Sequence, residues 1–379
     1  MKNKIAFIST DWNDNEYRKA NNAYGGVSYY RLIKPMQLLR EKYDVTFYGS
    51  DINKLSKGKR TDVFYDLLTR TYNMIIVKQI DNATSAQALI HWCNHNKCIL
   101  VQDFDDDMLS VRDDQPASKM GYTPGGNRRA YSASMMSLAD ALIVSTQPLK
   151  ESFTKVLKDV FNEDKDIYVF PNYNDVKDWK YKQPKRSNQK IVIGWMGSVT
   201  HDADLKLVMP ALAKVLDMYE NVYLELLGGI MQGSLAYLLQ DFSIEAKKRI
   251  RIVFGTPAFD TYPKLVMTQK WDIGIAPLID DAFNKSKTHI KWMEYTMMNI
   301  PTIASDVYPY TENIPKDTAL IVKDNGWIDA LCKLIEDDDL RDTLLSNARE
   351  YIHNNLQWEQ HKEDYVRIVG EIFKKHKTK

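Results

Sequence analysis

The sequence runs to 379 residues, too long for one ordinary hydrophobic core and suited to two domains of roughly 150–200 residues each. Its 51 Lys+Arg against 50 Asp+Glu leave a formal net charge of +1, which excludes the global basic field that draws proteins to nucleic acid or acidic membranes. With 44% hydrophobic and 27% charged residues it reads as a folded globular chain, no apolar run reaches the roughly 20 residues that span a bilayer, and 3 cysteines give no basis for a disulfide framework.

The opening MKNKIAFIST has a short apolar stretch ended by Asp11 and Trp12, which predicts a first strand rather than an export signal; a reducing cytoplasm is the expected location. Short, nearly all-apolar runs then recur between longer helical stretches. In the first half they are Ile5–Ser9, Val45–Tyr48, Met74–Val77, Cys98–Gln102, Ala141–Ser145 and Ile167–Phe170. In the second half they are Ile191–Gly194, Val222–Leu227, Arg251–Phe254, Asp272–Ala276, Thr302–Ser305 and Ala319–Val322. Runs of this length and composition suit strands buried on both faces of a parallel sheet. Tyr29, Leu32, Met36 and Leu39 mark one face of the first helix, with Pro35 expected to kink it. The rhythm predicts an α/β chain of two doubly wound, Rossmann-like domains. The first spans residues 1–172, a polar linker 173–189 follows, and the second spans 190–350. The last stretch, 351–379, is a helical tail expected to pack back on the first domain.

In open α/β sheets, ligands bind outside the carboxyl ends of the strands, so the strand-to-helix loops are the places to search. After the first strand, Gly25-Gly26 runs straight into a helix; adjacent glycines admit a close ligand and free N–H groups favour an anion, with a plain tight turn as the competing reading. The acidic run Asp103-Phe104-Asp105-Asp106-Asp107 has carboxylates at alternate positions, a pattern open to a hard cation, to hydroxyl recognition or to a solvated loop. His91, Cys93, His95 and Cys98 are too tightly spaced for an ordinary zinc site. Residues 110–129 form a long polar loop ending in Gly125-Gly126 and Arg128-Arg129, which reads as a lid, an acceptor contact or a disordered stretch. His201 and Asp204, after GWMGS, read as cleft residues, with helix capping by Asp202 or Asp204 as the competing reading.

The stretch DIGIAPLIDDAFNKSKTHIKWMEYTMMNIPTIASD, residues 272–306, reads strand, loop, helix, strand. Lys287, Lys291 and Glu294 fall at i, i+4 and i+7, one helical face, while Ile290, Met293 and Met297 form a separate apolar stripe. Two lysines near a helix start suit a diphosphate, and a carboxylate further in suits ribose hydroxyls. K-x3-K-x2-E-Y followed by N-I-P-T-I-A-S-D resembles the donor-binding segment of the GT-B glycosyltransferases of the large retaining family four. YLELLGG, RIVFGTP and DIGIAPL extend the resemblance upstream, and IGWMGSVTHDADL with VQDFDDDM is similar to a bacterial and phage branch.

That resemblance implies transfer of a sugar from a nucleoside-diphosphate sugar, with UDP-sugar favoured, to an acceptor hydroxyl with retention of configuration. It places Glu294 at the second position of an E-x7-E element and Ser286, in place of glutamate, at the first. Asn284, Lys285 and Ser286 would offer backbone amides to the donor; Gly197, Ser198, Gly255 and Thr256 would border its diphosphate and base, as would Gly25 and Gly26. The family's basic pair after the first strand of the second domain is missing, and Lys287 or Lys291 is expected to supply the charge. Asp103 is a candidate catalytic group, and Asp105, Arg128, Arg129 and His201 are acceptor or cleft candidates. No metal and no cofactor is expected, the nucleotide sugar being a co-substrate. A glycan is the expected acceptor, with a hydroxylated DNA base or a protein left open. A nucleotide-sugar epimerase, a phosphorylase and a non-catalytic nucleotide-sugar binder are the remaining readings.

Overall fold

The computed structural model describes residues 2–9, 25–48, 70–78, 80, 83–115, 118–119, 121–179, 190–229, 234–254 and 262–376. All the expected strands form. β1 (Lys4–Ile8), β2 (Asp44–Tyr48), β3 (Met74–Lys78), β4 (Ile99–Phe104), β5 (Ala141–Val144) and β6 (Asp166–Val169) make one parallel sheet in the order β2-β1-β3-β4-β5-β6. β7 (Ile191–Gly197), β8 (Val222–Gly228), β9 (Ile250–Phe254), β10 (Ile273–Ala276), β11 (Thr302–Ser305) and β12 (Leu320–Val322) make the second, in the order β12-β11-β10-β7-β8-β9. Every ladder is parallel, which requires helical crossovers and explains why the strands read as continuous apolar runs. β7 runs on past the expected Gly194 to Gly197, pairing with Gly228 at the end of β8.

Each sheet buries side chains on both faces. Ala6, Ile75, Leu100 and Leu142 pack under one set of helices in the first domain, and Ile193, Leu224, Ile273 and Ile303 under another in the second. The opposite faces belong to one apolar core that runs from Ile5 and Phe7 through Phe170 and Trp358 to Met196 and Trp292. The domains therefore share packing.

The stretch 327–376 holds three α-helices, Trp327–Glu336, Asp338–Asn355 and Lys362–His376, and the expected tail from residue 351 begins inside the second of them. Asp337 starts the second by accepting the Leu340 N–H at 2.8 Å. The third lies on the first domain: Phe373 stacks on Tyr43 at 5.6 Å, Tyr365 meets Phe170 at 4.5 Å, and Lys362 pairs with Glu41 at 2.7 Å. Tyr173–Trp179, at the start of the expected linker, is held and not slack. Tyr173 stacks on His361 at 3.7 Å, Asn174 bridges to Gln357, and the buried Trp179 indole donates to Asn174 Oδ1 at 2.9 Å. Its remainder, 180–189, lies outside the described residues.

The first helix departs from expectation in its geometry. Gly26–Ser28 leads into a π segment, Tyr29–Ile33, before the α-helix resumes at Lys34–Leu39. Pro35 sits in the first turn of that last part, and the Lys34 N–H reaches back to the Tyr29 carbonyl, five residues away. The widened turn aims three consecutive buried side chains at three different partners: Tyr29 at Asp178, Tyr30 at Glu294 and Arg31 at Asp103.

Candidate functional site

Strand order reverses between β1 and β3 in the first sheet and between β7 and β10 in the second, and a crevice forms outside the carboxyl ends of strands at such points. A cavity of about 300 Å³ lies there, between the two domains. Gly26, Val27, Tyr30 and Asp105 line it from the first domain; Gly197, Ser198, Gly228, Tyr262, Lys291 and Glu294 are among those lining it from the second. Gly228 adopts φ +127°, and a Cβ there would come within 1.9 Å of the Gly197 carbonyl oxygen, so the two strand ends meet this closely only because Gly228 is bare.

The floor is the helix Ile290–Met297. It begins at Ile290, so Lys287 stands in the turn before it and not on a shared helical face with Lys291 and Glu294. Lys291 and Glu294 are one turn apart and both face the cavity. Ile290, expected on the buried stripe with Met293, also lines the cavity, and Met293 alone is fully buried. Glu294 accepts from Tyr30 and Tyr262, each phenol 3.0 Å away. Burial pushes its carboxyl up to about 7 against the pull of those two hydrogen bonds. Burial, then the neighbouring Lys287 charge, brings the Lys291 ammonium down to about 8.

Lys291 Nζ lies 3.0 Å from His201 Nε2, and His201 Nδ1 lies 2.8 Å from Asp204 Oδ2. Burial and the Lys291 charge lower the imidazole to about 4, so it is neutral: Nε2 accepts from the ammonium and Nδ1–H donates to Asp204. Asp204 Oδ1 in turn accepts from the Ile279 N–H at 2.9 Å and Asn284 Nδ2 at 2.7 Å. Asp204 thus ties the start of one helix to the loop after β10, and Asn284 serves that brace instead of facing the cavity.

The acidic run is dispersed among protein partners. Asp103 is buried in a two-pronged pair with Arg31, at 2.7 and 3.0 Å, and Arg31 also donates to the Phe170 carbonyl and Asn172 Oδ1. Asp103 does not line the cavity. Asp105 does, with one oxygen 3.0 Å from Asn172 Nδ2. Asp106 pairs with Lys287 at 3.0 Å, and Asp107 accepts from Ser110 and Ser152, each at 2.7 Å. No group of three or more potential metal ligands is present among the described residues. His91 and His95 point to solvent, while Cys93 and Cys98 belong to the core.

Several sequence candidates join the domains together. The Ser286 carbonyl accepts from Thr146 Oγ1 at 2.8 Å, and Thr288 Oγ1 meets Asn172 Nδ2 at 3.3 Å. From the long loop, Arg112 and Gln115 both reach Asp281, and Tyr122 packs on Phe283. Lys285 is exposed and pairs with Asp280 at 2.7 Å. Arg128 lies over the Tyr122 ring at 5.9 Å and Arg129 donates to the Val111 carbonyl at 3.3 Å; both stand away from the cavity. Gly25 lies just before the lining Gly26 and accepts the Tyr29 N–H at 3.1 Å. Gly255 and Thr256 lie outside the described residues.

Solved structures share this architecture. Anabaena Alr3699/HepE in complex with UDP and glucose superposes with a TM-score of 0.65 at 14% identity, over 97% of this chain and 99% of that one. WaaG, a glycosyltransferase involved in lipopolysaccharide biosynthesis, gives 0.62 at 14% identity over 96% and 99%. The fold is GT-B. A TarM mutant of S. aureus in complex with fondaparinux, alpha-GlcNAc-glycerol and UDP gives 0.58 at 14% identity over 79% of this chain and 55% of its own, so the chain spans about half the length of TarM. No protein-family model and no curated protein matches the sequence. No helix among the described residues is long and apolar enough to cross a membrane.

Tyr30 and Tyr262, which hold Glu294, had no sequence signal. Tyr30 reads as part of a helix face, and its turn toward the cavity depends on the π segment, which no residue pattern announces.

Proposed function

We propose that this GT-B protein transfers a sugar from a UDP-sugar to a hydroxyl of a glycan, with retention of configuration and without a metal. The carrying observation is that Lys291 and Glu294, one turn apart on one helix, face a single interdomain cavity opposite Gly26 and Tyr30. A cation, a carboxylate and bare glycine backbone at strand ends match a diphosphate, a ribose and a pyrophosphate bridge that must approach closely. The UDP-bound state of HepE, a neighbour by fold, favours UDP among the donors.

In this reading Glu294 exchanges its tyrosine hydroxyls for ribose hydroxyls, and Lys291 stabilises the charge that builds on the diphosphate. The acceptor oxygen bonds to the anomeric carbon on the face from which the diphosphate departs. The carbon–oxygen bond to the β-phosphate breaks, and the acceptor proton passes to that phosphate. Domain closure excludes water from the glycosyl centre.

The test is a panel of UDP-, GDP- and ADP-sugars, read by thermal shift and then by nucleotide release with glycan acceptors in the presence of EDTA. At about 100 times Kd a donor adds roughly 2.7 kcal/mol of stability. NMR of the product reads the anomeric configuration. Absence of any stabilisation across the panel overturns the reading.

A further inference from the structure

Lys291 and His201 are the basic side chains lining the cavity among the described residues. They are hydrogen-bonded to each other at 3.0 Å, so the site presents one positive charge shared between two groups. The next cation, Lys287, is taken up by Asp106 at 3.0 Å. The loop from Trp195 to His201 that closes β7 carries no Lys or Arg. A nucleoside diphosphate brings two or three negative charges into this space, more than that one positive charge neutralises.

His201 is built to change that. Its Nδ1–H is fixed on Asp204 Oδ2 at 2.8 Å, and Asp204 is itself held by the Ile279 N–H and Asn284. This clamp fixes the ring and the tautomer, and it supplies a buried carboxylate able to stabilise an imidazolium. The other charged groups around the ring are Lys291 and Glu294 on the facing helix, Lys287 in the turn before it, and Asp105 and Asp106 from the first domain. Burial, and after it the Lys291 ammonium, keeps the second proton off Nε2.

We propose that His201 is a proton-accepting diphosphate ligand: when a nucleoside diphosphate enters, Lys291 turns from His201 Nε2 to the phosphates, a proton from solvent binds Nε2, and both side chains then donate to the ligand. The proton returns to solvent when the nucleotide leaves. Asp204 keeps the Nδ1 proton throughout and acts by positioning. This rests on the cavity being a nucleoside-diphosphate site, the reading proposed above, and adds that its charge is completed only on binding. Burial and the Lys291 charge already explain why the imidazole is neutral at pH 7 while Lys291 faces it.

The experiment is titration calorimetry of the full chain with UDP at about pH 7, in Pipes, Hepes and imidazole buffers, whose ionisation enthalpies differ; the slope of heat against ionisation enthalpy counts protons taken up. Uridine, without phosphates, is titrated in parallel to subtract any change at Glu294 caused by the ribose. The wild type is expected to take up roughly half to one proton more with UDP than with uridine, and His201→Gln to lose that difference and bind UDP about tenfold more weakly. UDP binding with the same proton count as uridine, or an unchanged count in His201→Gln, overturns the inference and leaves the nucleotide site standing. If UDP, GDP and ADP all fail to bind, the nucleotide reading falls and this inference with it. The wild-type comparison decides the matter even if the variant does not fold.

Discussion

Tyr30, on the first domain, donates its phenol hydrogen to Glu294, on the second, across 3.0 Å. With Tyr262 on the other oxygen, the carboxylate that faces the cavity is satisfied without any ligand, by one hydroxyl from each domain. Two hydroxyls on one buried carboxylate are the chemistry a ribose diol would offer, so the tyrosines mimic that diol at Glu294.

That arrangement costs stability once Glu294 ionises. Its folded value of about 7 lies above the ordinary 4.5, so its contribution is fully present below about pH 4.5 and is lost as pH rises through 7. The loss amounts to roughly 3 kcal/mol. Glu294→Gln keeps an acceptor for the tyrosines and removes the ionisation. It is expected to raise the melting temperature at pH 8 and leave it nearly unchanged at pH 4.5, while UDP affinity falls about tenfold or more. Equal shifts at both pH values would show that the carboxylate is not the source.

Asp103 is expected to matter for folding and not for donor binding. It shares a buried two-pronged bond with Arg31, and burial holds it at about 6 despite the guanidinium beside it. Asp103→Ala leaves Arg31 buried without its counter-ion and is expected to cost about 3–5 kcal/mol in denaturant unfolding. The milder Asp103→Asn should retain UDP affinity within about twofold. A large loss of affinity in a well-folded Asp103→Asn would return this residue to the donor site.

The strands were legible because parallel strands buried on both faces leave short apolar runs. Lys291 and Glu294 were legible because helical spacing puts them on one side. Lys287 misled because the same spacing continues backwards past the true helix start at Ile290, into a turn where helical geometry no longer applies. The partner of Asp103 was not legible because a cluster of like charges says nothing of which member finds a buried arginine. The Tyr30 and Arg31 partnerships depend on the π segment at Tyr29–Ile33, where one extra residue per turn redirects neighbours that a regular helix would spread around its axis.

Lys287 now reads as a clasp between the lobes. Its ammonium reaches Asp106 on the first domain at 3.0 Å, next to the Thr146–Ser286 and Asn172–Thr288 contacts. Lys287→Ala is expected to shift the molecule toward an open form, seen as a larger radius of gyration in small-angle scattering, and UDP should reverse the change. Affinity for UDP should drop about tenfold, or roughly 1.4 kcal/mol, since closure must then be driven by the ligand. An unchanged scattering curve together with lost affinity would instead place Lys287 directly on the diphosphate.

The cavity wall gives the sharpest test of geometry. Gly228 holds φ +127°, and its missing Cβ leaves room for the Gly197 carbonyl, which also accepts the Gly229 N–H at 3.0 Å. Gly228→Ala imposes a backbone strain of about 1–3 kcal/mol before the clash with that carbonyl is counted. The ends of β7 and β8 must then separate, and the separation falls on the wall that borders Lys291. The variant is expected to lose several degrees in Tm and most of its UDP affinity. Gly326→Ala is the matched control: a Cβ there meets Val322 at an ordinary 3.5 Å, with φ −93°. It should melt and bind like the wild type. If Gly228→Ala melts normally and still binds UDP, the close meeting of the two strand ends is not what shapes the site.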